Sequence, residues 1–137
     1  MPMKINEEKY GISNRRYNEL KNFCYQYPEW RRFLTDSKDT VKGNQIQISP
    51  HVKGQYSNPT EELAIKRLRY EKFCKMVEDT VRECSTVLYP YIIKDLTDEN
   101  ITFQYLKTVM EIPCSKKYYY QIIMQFFRLL DKKRDER

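Results

Sequence analysis

Polar and aromatic side chains crowd the start of the last predicted helix, in the sequence Ser-Lys-Lys-Tyr-Tyr-Tyr-Gln. Lysine contacts phosphate or guanine, glutamine pairs with adenine, and tyrosine hydroxyls form hydrogen bonds with phosphate. A recognition helix presents such groups to base edges from its first turns. We therefore predict that DNA contacts come from this end of the helix: Ser115, Lys116, Lys117, Tyr119, Tyr120 and Gln121.

The residues before this segment predict a helix-turn-helix. Thr102 can cap a first short helix, because its hydroxyl accepts a bond from a free backbone N–H. A break follows at Glu-Ile-Pro-Cys, in which Ile112 is the apolar residue between the two helices and Pro113 restricts the chain's entry into the second. Ser115 is a better cap for the second helix than Cys114.

The second helix has a predicted core face and a predicted exposed face. Tyr118, Ile122, Phe126 and Leu129 recur at spacings of four, four and three residues, which is typical of a buried helical stripe. Tyr119 and Tyr120 are either interface aromatics or DNA contacts, and the basic tail 132–134 is expected to be a solvated end with non-specific phosphate contact. The opposite, exposed face is expected to carry Lys116, Lys117, Tyr120, Gln121, Met124 and Arg128, with Tyr119 near its edge.

The charge of the chain is unevenly distributed. The net charge is +6, with +3 over residues 1–34, +4 over residues 100–137 and −2 over residues 59–99. Basic ends suit a polyanion such as nucleic acid, although a solvated surface tuned for solubility has the same composition.

The sequence shows no catalytic or metal-binding motif: it has no nucleophile–base motif and no P-loop. The single histidine is His51, and the four cysteines are far apart without a CxxC pair. A zinc site needs four clustered Cys/His ligands. We therefore expect no catalytic residues, no metal and no cofactor, and reduced, mostly buried cysteines. The acidic side chains of the long helix, such as Glu78, Asp79 and Glu83, are interpreted as ion-pair partners.

Neither a signal peptide nor a membrane span is indicated. The N-terminal sequence MPMKINEEKYG has no apolar core, and no apolar run approaches the ~20 residues that cross a bilayer. The expectation is a soluble, intracellular protein without a membrane partner.

The fold expected from the pattern is all-α. Glycines number only three, and alternating Val/Ile/Thr runs between turns are missing. The predicted segments are an N-terminal helical arm over residues 1–34, a polar linker or loop over 35–58, and a third segment over 59–137 that contains a long helix and the helix-turn-helix. The first helix is expected over residues 13–27, a short one from Pro28 to Leu34, and another from Tyr91 to Leu96 after a kink at Pro90.

The long helix is expected to begin at Pro59 and to run for about 30 residues, well beyond the ordinary length of ~11–12. Its apolar residues extend past the reach of one small core. Either part of the helix pairs with another subunit, giving a homo-oligomer such as a dimer, or the N-terminal helices cover it within one chain.

Three stretches of the chain resemble the RinA/ArpU-like family of bacteriophage late-gene transcriptional activators. They are YNELKNFCYQYPEW, SNPTEELAIKRL, and the pair ITFQYL and IPCSKKYYY. The last helices are also similar to region four of bacterial sigma factors. The resemblance covers about residues 10–131. In this chain, Glu111 stands where the family's turn usually has glycine, and the recognition helix is poorer in arginine.

The resemblance implies a phage or prophage regulator that binds promoter double-stranded DNA in the bacterial cytoplasm, with host RNA polymerase as a further partner. Two alternatives remain open at this point. One is a small terminase subunit for DNA packaging, which would form rings. The other is a helical protein-interaction module that does not bind DNA.

Overall fold

A computed structural model describes residues 11–36 and 59–135 of the 137-residue chain. Helices account for 80% of these residues, and no strand occurs among them. The all-α class predicted from the sequence is thereby confirmed.

Six helices form in the described ranges. Their bounds lie within a few residues of those expected, except that the long helix is shorter, with 26 residues, and ends at Cys84. The helices are α1 (Asn14–Tyr25), α2 (27–36), α3 (Pro59–Cys84), α4 (Tyr89–Thr97), α5 (Phe103–Thr108) and α6 (Lys116–Asp135).

Three helices begin with a side-chain N-cap, and two of these caps, Thr102 and Ser115, were predicted from the sequence. The hydroxyl of Ser13 accepts from the N–H of Arg16 at 3.1 Å, which starts α1. Thr102 and Ser115 cap α5 and α6 in the same way, each at 3.2 Å. Each cap satisfies a backbone donor that has no partner within the helix, and each is worth about 1 kcal/mol.

The chain divides into two compact units. Among the described residues, one unit comprises 11–26 with 76–135, and the other comprises 27–36 with 59–75. All but the first two residues of the predicted linker 35–58 lie outside the described residues, so the three-segment division stays a prediction.

The core of the first unit is built where α1 packs against α4 and α6. The ring of Tyr17 meets the ring of Phe127 edge to face, with centroids 4.9 Å apart. Leu20 of α1, Ile92 of α4 and Leu130 of α6 are at most 1% exposed. Burying such side chains contributes about 1.5–3 kcal/mol each before entropy is counted, so α6 is fixed by its apolar face.

The C-terminal end of α6 is tied to other helices. Arg16 donates from Nε to Asp131 at 2.6 Å and from a terminal nitrogen to Asp135 at 2.8 Å. Lys133 pairs with Glu83, and the guanidinium of Arg134 lies 4.2 Å from the ring centroid of Phe23. The prediction of a solvated tail was therefore wrong for Lys133 and Arg134, because α6 continues to Asp135 and both side chains have intramolecular partners, whereas Lys132 is exposed.

The second unit contains α2 and the first part of α3. The ring of Trp30 lies 5.2 Å from that of Phe73, and Phe33 meets Tyr70 edge to face at 5.2 Å. Lys66 sits 4.8 Å above the Phe33 ring. These aromatic contacts join α2 to the first part of α3.

The apolar residues of α3 change character along the helix. Val77 and Val81 are fully buried. Nearer the start, Leu63 is 40% exposed, Ile65 53% and Leu68 66%. This end of α3 therefore presents apolar side chains at its surface.

The turn between α5 and α6 is built around a left-handed residue. Glu111 has φ = +54° and is the only non-glycine residue with positive φ in the described ranges. The N–H of Ile112 donates back to the carbonyl of Leu106 at 3.0 Å, and both side chains are buried. Glycine adopts this backbone region without the steric cost that a Cβ brings.

Glu111→Gly is expected to stabilise the protein by about 0.5–1 kcal/mol. Relief of the left-handed strain is worth ~1–2 kcal/mol, part of which is offset by the greater entropy of glycine in the unfolded chain. Chemical denaturation measures the change. Glu111→Ala is the matched control, since it removes the charge but keeps the Cβ. An equal gain in both variants would assign the effect to charge and contradict the prediction.

Candidate nucleic-acid interface

The buried face of α6 is rotated by about one residue position from the predicted face. Tyr119 is 0% exposed, whereas Tyr118, which was assigned to the core, is 48% exposed. Met124, expected on the outer face, is 2% exposed. Both assignments were wrong. The pairs of adjacent apolar residues in the helix place the centre of its buried face one residue later in the sequence than the predicted face. The buried residues of α6 are Tyr119, Ile122, Ile123, Met124, Phe126, Phe127 and Leu130.

A continuous polar surface runs along the opposite side of α6, and we call it the exposed stripe. Its six side chains fall within an arc of about 100° at 3.6 residues per turn. No Asp or Glu occurs between residues 112 and 130, so the exposed side of the first four turns of the helix carries only cationic and uncharged polar side chains. The exposed stripe consists of Lys117, Tyr118, Gln121, Gln125, Arg128 and Lys132.

Four residues of the exposed stripe were outside the predicted contact set: Tyr118, Gln125, Arg128 and Lys132. Of these, only Arg128 had been predicted to lie on the exposed face of the helix. The doublets at 122–123, 126–127 and 129–130 were the signal that could have found Tyr118 and Gln125. Taken as pairs, they place the centre of the core face on Tyr119 and Leu130, and so place Tyr118 and Gln125 outside.

The predicted contact residues do not share one surface: some lie on the exposed stripe, some lie beside a cavity, and one is buried. Lys117 and Gln121 lie on the exposed stripe. Ser115 is exposed but its hydroxyl caps α6, while Lys116 and the half-buried Tyr120 line a neighbouring cavity. Tyr119 is buried and is not available to a ligand at the surface.

The hydroxyl of Tyr119 forms a hydrogen bond inside the protein instead. It donates a hydrogen bond of 2.6 Å to Oδ2 of Asp95, at the end of α4. Burial raises the pKa of Asp95, while the bond from Tyr119 and the charge of Lys21 act in the opposite direction. Burial and the neighbouring carboxylate together raise the pKa of Tyr119 far above its usual value, so this phenol stays a donor. The bond joins α6 to α4 inside the first unit.

Tyr119→Phe is expected to cost about 1.5–3 kcal/mol at neutral pH, because it leaves a buried carboxylate without its donor. A raised folded-state pKa for a carboxyl group means that its protonated form is favoured on folding. That contribution is complete below the unfolded pKa of about 3.9 and is lost as pH rises through the folded pKa. The variant raises the pKa of Asp95 further, so its cost should shrink as pH falls through the folded-state pKa values of Asp95, which lie above the unfolded value.

Urea denaturation of wild type and Tyr119→Phe at several pH values measures this cost. Tyr118→Phe, which removes the hydroxyl of the exposed neighbour, is the control and should leave stability unchanged. A Tyr119→Phe cost that stays constant between acid and neutral pH would show that the bond to Asp95 is not its origin.

The cavity beside the start of α6 is open and mixed in chemistry. Its volume is about 1050 Å³. Lysines from three helices, Lys21, Lys107 and Lys116, line it together with Asp95 and Glu99. The lysines place positive charge beside the first turn of α6, where the two carboxylates partly offset it.

The cysteines do not form a reactive or metal-binding group. Cys24 and Cys74 are buried, Cys84 and Cys114 are half-buried, and all four are free thiols. Burial raises the pKa of Cys84 to about 11, so this thiol is protonated at neutral pH. Within residues 11–36 and 59–135, no three His, Cys, Asp or Glu side chains are grouped as a metal site would require.

The fold places the protein in the all-α class, and α6 combines a buried apolar face with an exposed polar one. No helix in the described part of the chain has both the length and the apolar character needed to span a bilayer. No family model, curated protein or solved structure matches this chain.

Proposed function

We propose that this protein binds double-stranded DNA, with α5 and α6 acting as a helix-turn-helix and the exposed stripe facing the major groove. The observation that carries the proposal is the composition of the stripe. It offers three cations and two amide side chains on one face of a helix, with no carboxylate over four turns. Cations bind phosphates, and amides bind base edges.

The local architecture of the α5–α6 region supports this role. The ring of Phe103 in α5 lies 5.5 Å from that of Tyr119 in α6, and Ile112 of the turn is buried. The connection between α5 and α6 has seven residues (109–115), which is longer than the 3–4-residue turn of most helix-turn-helix units. Such turns often contain glycine, and Glu111 adopts the left-handed backbone that glycine favours. The polar face is thus carried on a helix that packing holds in place.

We propose further that the protein regulates transcription in a phage or prophage, as its resemblance to RinA/ArpU-like activators implies. Host RNA polymerase would be its second partner. The exposed apolar residues at the start of α3, Leu63, Ile65 and Leu68, support a homo-oligomer formed through that helix. DNA half-sites one helical turn apart would then be read by two subunits.

A second candidate is a protein-interaction module. Tyr105 is 37% exposed and Val109 61%, and both lie close to the turn. Apolar groups at a surface suit a protein partner better than a polyanion. A small terminase subunit is a third candidate, which ring-shaped oligomers in solution would identify.

Fluorescence anisotropy with random and phage-promoter duplexes over a salt series tests the proposal. We expect affinity to fall linearly in log salt, by ~0.9 decade per decade of salt for each phosphate contact. A preference for promoter sequences would support a regulator. Absence of binding at low salt would overturn the DNA-binding proposal and favour the interaction module.

A further inference from the structure

Two glutamines occupy the middle of the exposed stripe. Gln121 and Gln125 are both exposed, lie one turn apart on α6, and point to the same side as Lys117 and Arg128. Neither side-chain amide forms a hydrogen bond with another described residue. Sequence periodicity had placed only Gln121 on this surface, because the core face was centred on the wrong residue.

We propose that Gln121 and Gln125 read adenines, so that the DNA site has two A·T pairs at its centre. This inference rests on the proposed DNA binding. Glutamine matches adenine in the major groove, because its amide donates to N7 and accepts from the N6 amino group. Guanine is read mainly by arginine or lysine, and between the two glutamines the stripe has neither.

The spacing of the two glutamines limits the distance between the adenines. Residues four apart on a helix are separated by about 6 Å along its axis. Base pairs are stacked about 3.4 Å apart. A helix lying along the groove therefore brings the two amides to base pairs no more than about two steps apart. Lys117 and Arg128 flank the pair and supply phosphate contacts on either side.

The test begins with selection of bound duplexes from a random library by the full-length protein. We expect adenine at two positions within about two base-pair steps, each discriminated by roughly 10- to 100-fold. The selected duplex is then made with 7-deaza-adenine at those positions, which removes the N7 acceptor. Wild-type affinity should fall with this probe, whereas Gln121→Ala/Gln125→Ala should bind both duplexes equally.

Two controls separate base reading from general binding. The double variant replaces uncharged glutamines with uncharged alanines, so the salt dependence of its DNA affinity should equal that of wild type. Gln104→Ala removes an exposed glutamine of α5 that is not on the stripe, and it should keep the adenine preference.

The outcomes distinguish this inference from the proposed function. Salt-dependent binding with a guanine preference, with no preference, or with an adenine preference unchanged in the double variant would overturn adenine reading and leave DNA binding standing. No binding to any duplex at low salt would overturn both.

Discussion

Tyr119→Ala is expected to destabilise the protein by about 3–5 kcal/mol, the usual cost of removing a buried aromatic ring. The ring is fully buried and packs against Phe103 and Tyr120, with centroids 5.5 and 5.6 Å away. Truncation removes these contacts and the donor to Asp95 together. For a domain of this size the melting temperature should fall by well over 10 °C.

Tyr118→Ala is the matched control, since it changes the same residue type one position earlier. Its side chain is 48% exposed, so stability should change by no more than about 0.5 kcal/mol. Thermal and urea denaturation measure both variants. Equal losses, or a larger loss for Tyr118→Ala, would contradict the orientation of α6 described above and would restore the face predicted from the sequence.

Removing the three cations of the exposed stripe is expected to flatten the salt dependence of DNA binding. The variant Lys117→Ala/Arg128→Ala/Lys132→Ala loses three phosphate contacts. At ~0.9 for each contact, its slope of log affinity against log salt should be smaller by about 2.7. Between about 50 and 200 mM salt, wild-type affinity should then fall about 40-fold more than that of the variant. Fluorescence anisotropy with one duplex measures both.

A variant of α1 and α2 provides the matched control for charge. Arg15→Ala/Arg31→Ala/Arg32→Ala removes three arginines from exposed positions, so its net charge equals that of the stripe variant. It should keep the wild-type slope. If the slope of the salt dependence falls by the same amount in both variants, DNA binding depends on overall charge and the exposed stripe is not the DNA surface.

The helices could be predicted from the sequence because their start signals are local. Ser13, Thr102 and Ser115 each cap a helix through a hydroxyl group that bonds a backbone N–H three residues away. The few glycines and the missing strand pattern sufficed for the all-α class. Such features depend on neighbouring residues only, so a single sequence carries them.

The orientation of α6 was harder to predict because it depends on tertiary packing. Three consecutive tyrosines make each helical face similar in composition, and the single stripe from Tyr118 to Leu129 was as regular as the true one. What decides between them lies far away in sequence: Tyr17 against Phe127, and Asp95 as acceptor for Tyr119. The basic tail illustrates the same point, since its partners Glu83 and Phe23 are distant in the chain.

The attachment of α6 at both ends determines how this helix meets a ligand. Near its start, the hydroxyl of Tyr119 donates a hydrogen bond to Asp95 of α4. Near its end, Asp131 and Asp135 accept hydrogen bonds from Arg16 of α1. A helix fixed in this way has little backbone entropy left to lose on association, and rigid partners bind without that cost. Any ligand of the exposed stripe therefore meets an already ordered surface, and selection among ligands depends on fit and charge rather than on coupled folding.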